Sequence, residues 1–179
     1  MFALTFGWIA IAFWNAIIGW VLCLFKRDPL SLARVSRAEL PDTPLTSTTA
    51  LVMPINHEDP EQVMAGIATM VQSVNRTGHG AQFDLFLLSD TRDPGIVRKE
   101  ETAWATLRQT ISGAVTLTYR RRPENHGRKA GNIADFCREW GAHYDYMVVL
   151  DADSIMTGPT LVALVREMEA NPQAGLVQT

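Results

Sequence analysis

With 179 residues, 47% of them hydrophobic and 20% charged, the chain has too many apolar groups and too few charges for a disordered tail. Its 16 basic and 19 acidic residues leave a net charge of −3, which argues against nucleic acid held by bulk positive field, so no nucleic-acid partner is expected. Two cysteines, Cys23 and Cys137, cannot build a disulfide framework or a four-cysteine zinc site and point to a reducing compartment.

The first element is an uncharged run from Phe2 to Phe25. At about 1.5 Å per residue, roughly 24 helical residues reach about 36 Å, enough to cross a hydrocarbon core of about 30 Å with some tilt. A transmembrane helix is therefore expected over residues 1–27. Trp8, Trp14 and Trp20 bring amphipathic rings, and Asn15 a polar group suited to a neighbouring helix. A signal peptide would open on basic residues and close on a small-residue cleavage site, and neither is evident. Lys26, Arg27, Arg34 and Arg37 all follow the run, which places the C-terminal side in the cytoplasm by the positive-inside rule. Residues 28–48 read as a juxtamembrane segment and linker. Within them, 28–40 suits a short helix lying on the membrane surface or a plain connecting helix, and PDTPLTSTT at 41–49 has no apolar period.

Beyond the linker, strand-like and helical segments alternate. Strands are expected at 49–53, 83–88, 115–119, 146–150 and 175–179, each a short run rich in β-branched, aromatic or aliphatic residues. Helical spacing groups Val63, Met64, Ile67, Met70, Val71 and Val74 on one face. It does the same for Ile133, Phe136, Cys137 and Trp140, and for Leu161, Leu164, Val165 and Met168. Asp59-Pro60 and Asp93-Pro94 each read as an N-cap followed by proline in the first turn. The alternation predicts an α/β fold with a mainly parallel sheet and flanking helices, because parallel neighbours need crossovers. In such sheets ligands gather beyond the carboxyl ends of the strands.

The polar residues sit there. VVLDADS ends an apolar strand on two carboxylates, Asp151 and Asp153, whose side chains share a face if the backbone stays extended. Such a pair suits Mg²⁺ or Mn²⁺ with water and phosphate oxygens completing the shell; the same triplet also occurs in ordinary turns. Arg120, Arg121, Arg122, Arg128 and Lys129 follow the third strand, with Gly127 and Gly131 between or beside them. This segment suits a diphosphate, with Lys129 as the favoured point charge, or else an edge strand defended by arginines. Glu58 and Asp90 close the first two strands, as acceptors for a ligand or as helix caps. His57, Glu58 and Asp59 are adjacent on a loop and are not expected to converge on a metal. No Ser–His–Asp constellation or G-x-x-x-x-G-K-[ST] loop is present.

Taken in order, MPINHED, LLSDT, HGRKAGNIADFCREWG and YDYMVVLDADSIMTG resemble the processive membrane glycosyltransferases of family 2. Within that family they are most similar to the branch that makes osmoregulated periplasmic glucans in Gram-negative bacteria. The resemblance covers nearly the whole chain, and HGRKAGNIADF and VVLDADS are its most specific parts. It implies a GT-A-type, Rossmann-like fold over 49–179, UDP-glucose as donor, and inverting transfer to a growing β-glucan acceptor. Glu58 and Asp90 would line the uridine pocket, Lys129 would lie near the diphosphate, and Asp151 and Asp153 would position the nucleotide and its Mg²⁺ or Mn²⁺. It further implies the bacterial inner membrane, with lipid around the span and other glucan-biosynthesis proteins as partners.

Two departures stand out. The family's P-x-Y-N-E motif reads Pro54-Ile55-Asn56-His57-Glu58 here, without the aromatic residue that stacks on uracil. The general base and the Q-x-x-R-W acceptor motif, which follow the D-x-D helix and strand in the family, are expected downstream of Thr179. Neither Asp145 nor Glu167 stands at the base position, so the chain reads as the donor-binding part of the enzyme, without turnover alone. The other readings are another processive synthase (cellulose- or hyaluronan-like), a non-catalytic nucleotide-sugar-binding module, and a haloacid-dehalogenase-type phosphatase, which would carry D-x-D on an early strand.

Overall fold

A computed structural model describes residues 2–25 and 44–177. The chain divides into two units. In the first, α1 (Phe2–Phe25) is a 24-residue helix without a charged side chain. Its large apolar groups face outward, with Trp8 79%, Trp14 60% and Trp20 66% exposed. The side chains described form one continuous stretch, 6–22, plus residue 24; among the described residues no helix is long and apolar enough to cross a membrane. The basic residues Lys26, Arg27, Arg34 and Arg37 and the segment 28–40 lie outside the described residues.

The second unit is an all-parallel sheet with helices on both faces. Its strands are β1 (Thr49–Ile55), β2 (Phe83–Ser89), β3 (Thr116–Arg121) and β4 (Tyr146–Val149), in the order β3-β2-β1-β4. The helices are α2 (Pro60–Asn75), α3 (Pro94–Thr110), α4 (Arg128–Glu139) and α5 (Gly158–Ala170). Alternation along β1 and β2 feeds two cores. Leu51, Met53, Ile55, Phe83, Leu85 and Leu87 face α2, α3 and α5, whereas Ala50, Val52, Phe86 and Leu88 face α4. All seven residues of β1 are buried, and each large aliphatic side chain removed from water there contributes about 1.5–3 kcal/mol.

The direction of winding sets the location of the site. From β1 the chain steps outward through α2 to β2 and through α3 to β3, with both helices on one face. It then returns over the opposite face through α4 and inserts β4 on the other side of β1. The order of strands therefore reverses between β1 and β4, which opens a crevice at their carboxyl ends.

The expected helix starts are present. Asp59 accepts a hydrogen bond from the Glu61 amide at 2.9 Å, and Asp93 accepts from the Gly95 and Ile96 amides at 2.7 and 3.0 Å. Proline follows in each first turn. The six apolar residues assigned to α2 are all buried. On α4 the buried stripe is narrower than its spacing predicts: Phe136 is buried and Ile133 and Trp140 pack beside it, but Cys137 is exposed. Phe86, Phe136, Trp140 and Tyr144 already fill that side with ring contacts at 4.8–6.3 Å. On α5, Val162 joins Leu161 and Val165 in the core, while Leu164 and Met168 stay half-buried beside β4.

The expected fifth strand is not formed over residues 175–177, and 178–179 lie outside the described residues. Asn171-Pro172 leads into a turn closed by the Ala174 amide on the Asn171 carbonyl at 2.8 Å. The apolar run that follows is short and lies in a groove beside β4. Residues 44–48, at the end of the Pro/Thr-rich stretch, are tied to the α/β unit. Leu45 is buried, Thr46 and Ser47 donate to Glu169, and the Thr48 amide donates to Asp145 at 2.8 Å.

Candidate functional site

Four strand ends contribute to one cavity of about 730 Å³. β1 and its loop supply Pro54, Ile55, Asn56 and Glu58, and β2 supplies Asp90. The segment from β3 into α4 supplies Asn125, Arg128 and Lys129, and the loop after β4 supplies Asp151, Ala152 and Asp153. Glu58, Asp90, Lys129, Asp151 and Asp153, singled out separately in the sequence, thus face one space.

Asp90 is the deepest of the five, 3% exposed. Its amide donates to the Ile55 carbonyl at 2.8 Å, fixing the end of β2 against the end of β1. Its carboxylate meets Arg122, whose Nε reaches Oδ1 and whose Nη2 lies 2.9 Å from Oδ2. The same guanidinium donates to Asp135 at 2.9 Å, to the Arg128 carbonyl at 2.9 Å and to Asn125 at 3.3 Å. The hydrogen bonds to Asp90 raise the already high Arg122 pKa further, and Arg122 and Arg138 together hold the Asp135 carboxyl below the usual range. One buried cation therefore sets both the Asp90 carboxylate and the backbone just before Lys129.

The three consecutive arginines take different roles. Arg120 donates to the Asn132 carbonyl at 3.1 Å and lies over the Trp140 ring at 5.6 Å; burial lowers its pKa. Arg121 is exposed at the sheet edge. Arg122 turns inward to the site. Sequence spacing could not sort them, because their side chains diverge where β3 gives way to the loop.

The basic loop has a specific backbone. Gly127 caps α4 in the left-handed region, φ 68°, and Arg128 follows at φ 51°. A Cβ on Gly131 would stand 1.8 Å from the His126 carbonyl oxygen. Gly131 thus lets the loop close on itself, rather than on a ligand. The result presents Lys129 to the cavity, where its Nζ pairs with Asp151. Both members are exposed, 50% and 63% by side chain.

In the loop after β1 the Glu58 carboxylate accepts the Asn56 backbone amide, and the Asn56 side chain pairs with the His57 ring at 3.0 Å. Asn56, where an aromatic residue was missed in the sequence, lines the cavity. His57 adopts φ 68°, an uncommon conformation for a residue with a side chain. Among the described residues no group of three or more His, Cys, Asp and Glu gathers for a metal.

Three residues escaped sequence reading. Arg122 was one of three consecutive arginines that the sequence could not tell apart, and Asn125 had no distinguishing context. Glu100 is completely buried and accepts hydroxyls from Ser89 at 2.7 Å, Tyr119 at 3.1 Å and Thr91. Burial, together with the Glu100 charge, pushes the Tyr119 pKa up to about 12. The available cue was register: Glu100 shares a helical face with Val97, Trp104 and Leu107, all buried.

No family model matches the chain. Over its whole length it is homologous to the glucans biosynthesis glucosyltransferase H of Shewanella oneidensis, 46% identical over 179 residues, and to that of Dickeya dadantii, 45% identical over 179. The protein of that name from Klebsiella pneumoniae is 46% identical over 181 residues. The chain spans 24% of the Shewanella protein and 21% of the other two. Among solved structures, a mannosyltransferase from Pyrobaculum calidifontis, in complex with GDP-Man and Mn²⁺, superposes with a TM-score of 0.54 at 18% identity. The match covers 89% of this chain and 43% of that one. The shared fold is a glycosyltransferase fold.

Proposed function

We propose that this chain is the donor-binding part of an inverting glucosyltransferase that moves glucose from UDP-glucose to a growing β-glucan of the periplasm. The observation that carries the reading is the convergence of Glu58, Asp90, Lys129, Asp151 and Asp153 on one cavity at the β1/β4 reversal. The name shared by the relatives supports the glucan product, and the metal and nucleotide sugar bound by the mannosyltransferase support the ligand class.

In this reading Glu58 and Asp90 receive the uridine, with Asp90 held ready by Arg122. Asn56 replaces the stacking aromatic with a polar wall. Lys129 leaves Asp151 to meet the diphosphate, a short move between exposed groups. Asp151 and Asp153 fit Mg²⁺ or Mn²⁺ by chemistry: two hard oxygen donors at an open cavity leave the remaining positions to water and phosphate oxygens. When bound, such a cation neutralises the charge that develops on the leaving diphosphate. The chain's own residues bind and orient the donor; deprotonating the acceptor hydroxyl falls to a group beyond these residues.

We read α1 as a membrane span that holds the α/β unit at the cytoplasmic face of the inner membrane. Its 24 uncharged residues and outward-facing tryptophans support this. Lipid and other glucan-biosynthesis proteins are the remaining partners.

Calorimetry of the complete protein with UDP-glucose, UDP-N-acetylglucosamine and GDP-mannose, each with and without Mn²⁺, tests the proposal. Preferential, metal-enhanced binding of UDP-glucose is expected, and Asp153→Ala should remove the metal-dependent part. Failure to bind any of the three would overturn the reading.

A further inference from the structure

One buried carboxylate joins the end of β2 to β3 and, through Thr91, to the loop after β1. Glu100, on α3, has no exposed surface and accepts from Ser89 and Thr91, the two residues that flank Asp90, and from Tyr119 on β3. Thr91 passes the connection on: its Oγ1 accepts the His57 amide at 3.0 Å. His57 is the left-handed residue of the β1 loop, immediately before Glu58. A non-glycine residue held there is strained and persists where its surroundings over-determine it.

We propose that Glu100 is a positioning residue for the nucleotide-sugar site, acting through Thr91 on the His57 turn and so on Glu58, and through Ser89 and Thr91 on Asp90. This rests on the donor-site reading above. The reasoning is one of donor direction. A carboxylate only accepts, so it orients the hydroxyl protons of Ser89 and Thr91 toward itself. That leaves the Thr91 oxygen lone pairs to the His57 amide and the Ser89 oxygen to the Thr91 amide, which it meets at 3.2 Å. A neutral amide in place of the carboxylate would donate to one hydroxyl and break this polarity. The fixed turn then holds Glu58, and the bracketing residues hold Asp90, both in the lining of the cavity.

Thr91→Val removes the connecting hydroxyl and keeps the shape; Thr91→Ser restores it. In the complete protein, amide hydrogen exchange at His57 without ligand and calorimetric affinity for UDP read the two halves of the proposal. Thr91→Val should speed exchange about tenfold and weaken UDP binding about tenfold, the loss of roughly one net hydrogen bond. Thr91→Ser should stay within about threefold of wild type on both. If Thr91→Val does not fold, Glu100→Gln is read the same way, with the same direction expected. Wild-type exchange at His57, or wild-type UDP affinity, in a folded Thr91→Val or Glu100→Gln protein overturns the proposal. A wild-type protein that binds no UDP compound instead sinks the donor-site reading, and with it the role assigned to Glu100.

Discussion

Arg122 and Asp90 form a side-by-side pair in which both partners are almost wholly buried, 7% and 3% exposed by side chain. Two nitrogens of the guanidinium engage two oxygens of the carboxylate, a geometry that lysine cannot reproduce. Removing one partner of such a pair leaves a desolvated charge, which costs about 3–5 kcal/mol. Arg122→Ala is therefore expected to lower unfolding stability by about that amount, measured as a shift of the denaturant midpoint at constant slope. Arg122→Lys should lose less stability but still weaken donor binding, because the Arg128 carbonyl and Asn125 lose their shared donor.

Lys129 and Asp151 form a pair of the opposite kind. Both are exposed, so water screens their attraction and their contribution to stability is small, about 0–1 kcal/mol. Lys129→Ala should leave the thermal midpoint nearly unchanged. On the donor-site reading it should weaken UDP-glucose affinity by about tenfold or more, as a charge-assisted contact to diphosphate is lost. A thermal scan and a calorimetric titration of the same variant separate the two effects.

These two pairs show what a sequence discloses and what it withholds. Periodicity exposed the α/β alternation because burial of β1 and α2 is written as apolar residues at fixed spacing. Chain order and strand ends then located the carboxylates, since parallel sheets present their loops at one edge. The pairing of Arg122 with Asp90 was not legible: it joins residues 32 positions apart, and Arg120 and Arg121 had the same local claim. Glu100 was hidden among the charges of VRKEETAW, where an ordinary solvated helix face reads much the same. Its partners are three hydroxyls, two from the end of β2 and one from β3, which no local spacing encodes. The fifth strand was over-read because two aliphatic residues after a turn, Leu176 and Val177, satisfy a composition rule without offering a ladder over 175–177.

Gly131 gives a test of the basic loop. Any side chain there meets the His126 carbonyl oxygen, 1.8 Å from an added Cβ, and backbone cannot yield as a flexible side chain can. Gly131→Ala is expected to destabilise the protein by about 1–3 kcal/mol as an overpacking change. It should also displace Lys129 and weaken donor binding beyond what Lys129→Ala alone does. Gly175→Ala is the control, because nothing lies within 4 Å of its added Cβ. Paired denaturation and binding measurements on both variants decide the point.

Glu169 predicts a pH dependence far from the site. Burial pushes its carboxyl up, but the Ser47 hydroxyl, the Thr46 and Ser47 amides and the Thr46 hydroxyl all donate to it, and the net shift is downward from 4.5. A carboxyl with a lowered folded pKa binds fewer protons in the native than in the unfolded chain across that range, so stability rises with pH there. The contribution is full above about pH 4.5 and is lost as pH falls through the lower folded value. Glu169→Gln should remove this part of the acid sensitivity and cost about 1–2 kcal/mol at neutral pH, since an amide is a weaker acceptor for four donors. Denaturant titrations of wild type and Glu169→Gln at pH 3.5, 5 and 7 check the sign: the two curves should converge toward the acid side, and a gap that widens there would show that residues 44–48 are held by something other than this carboxylate.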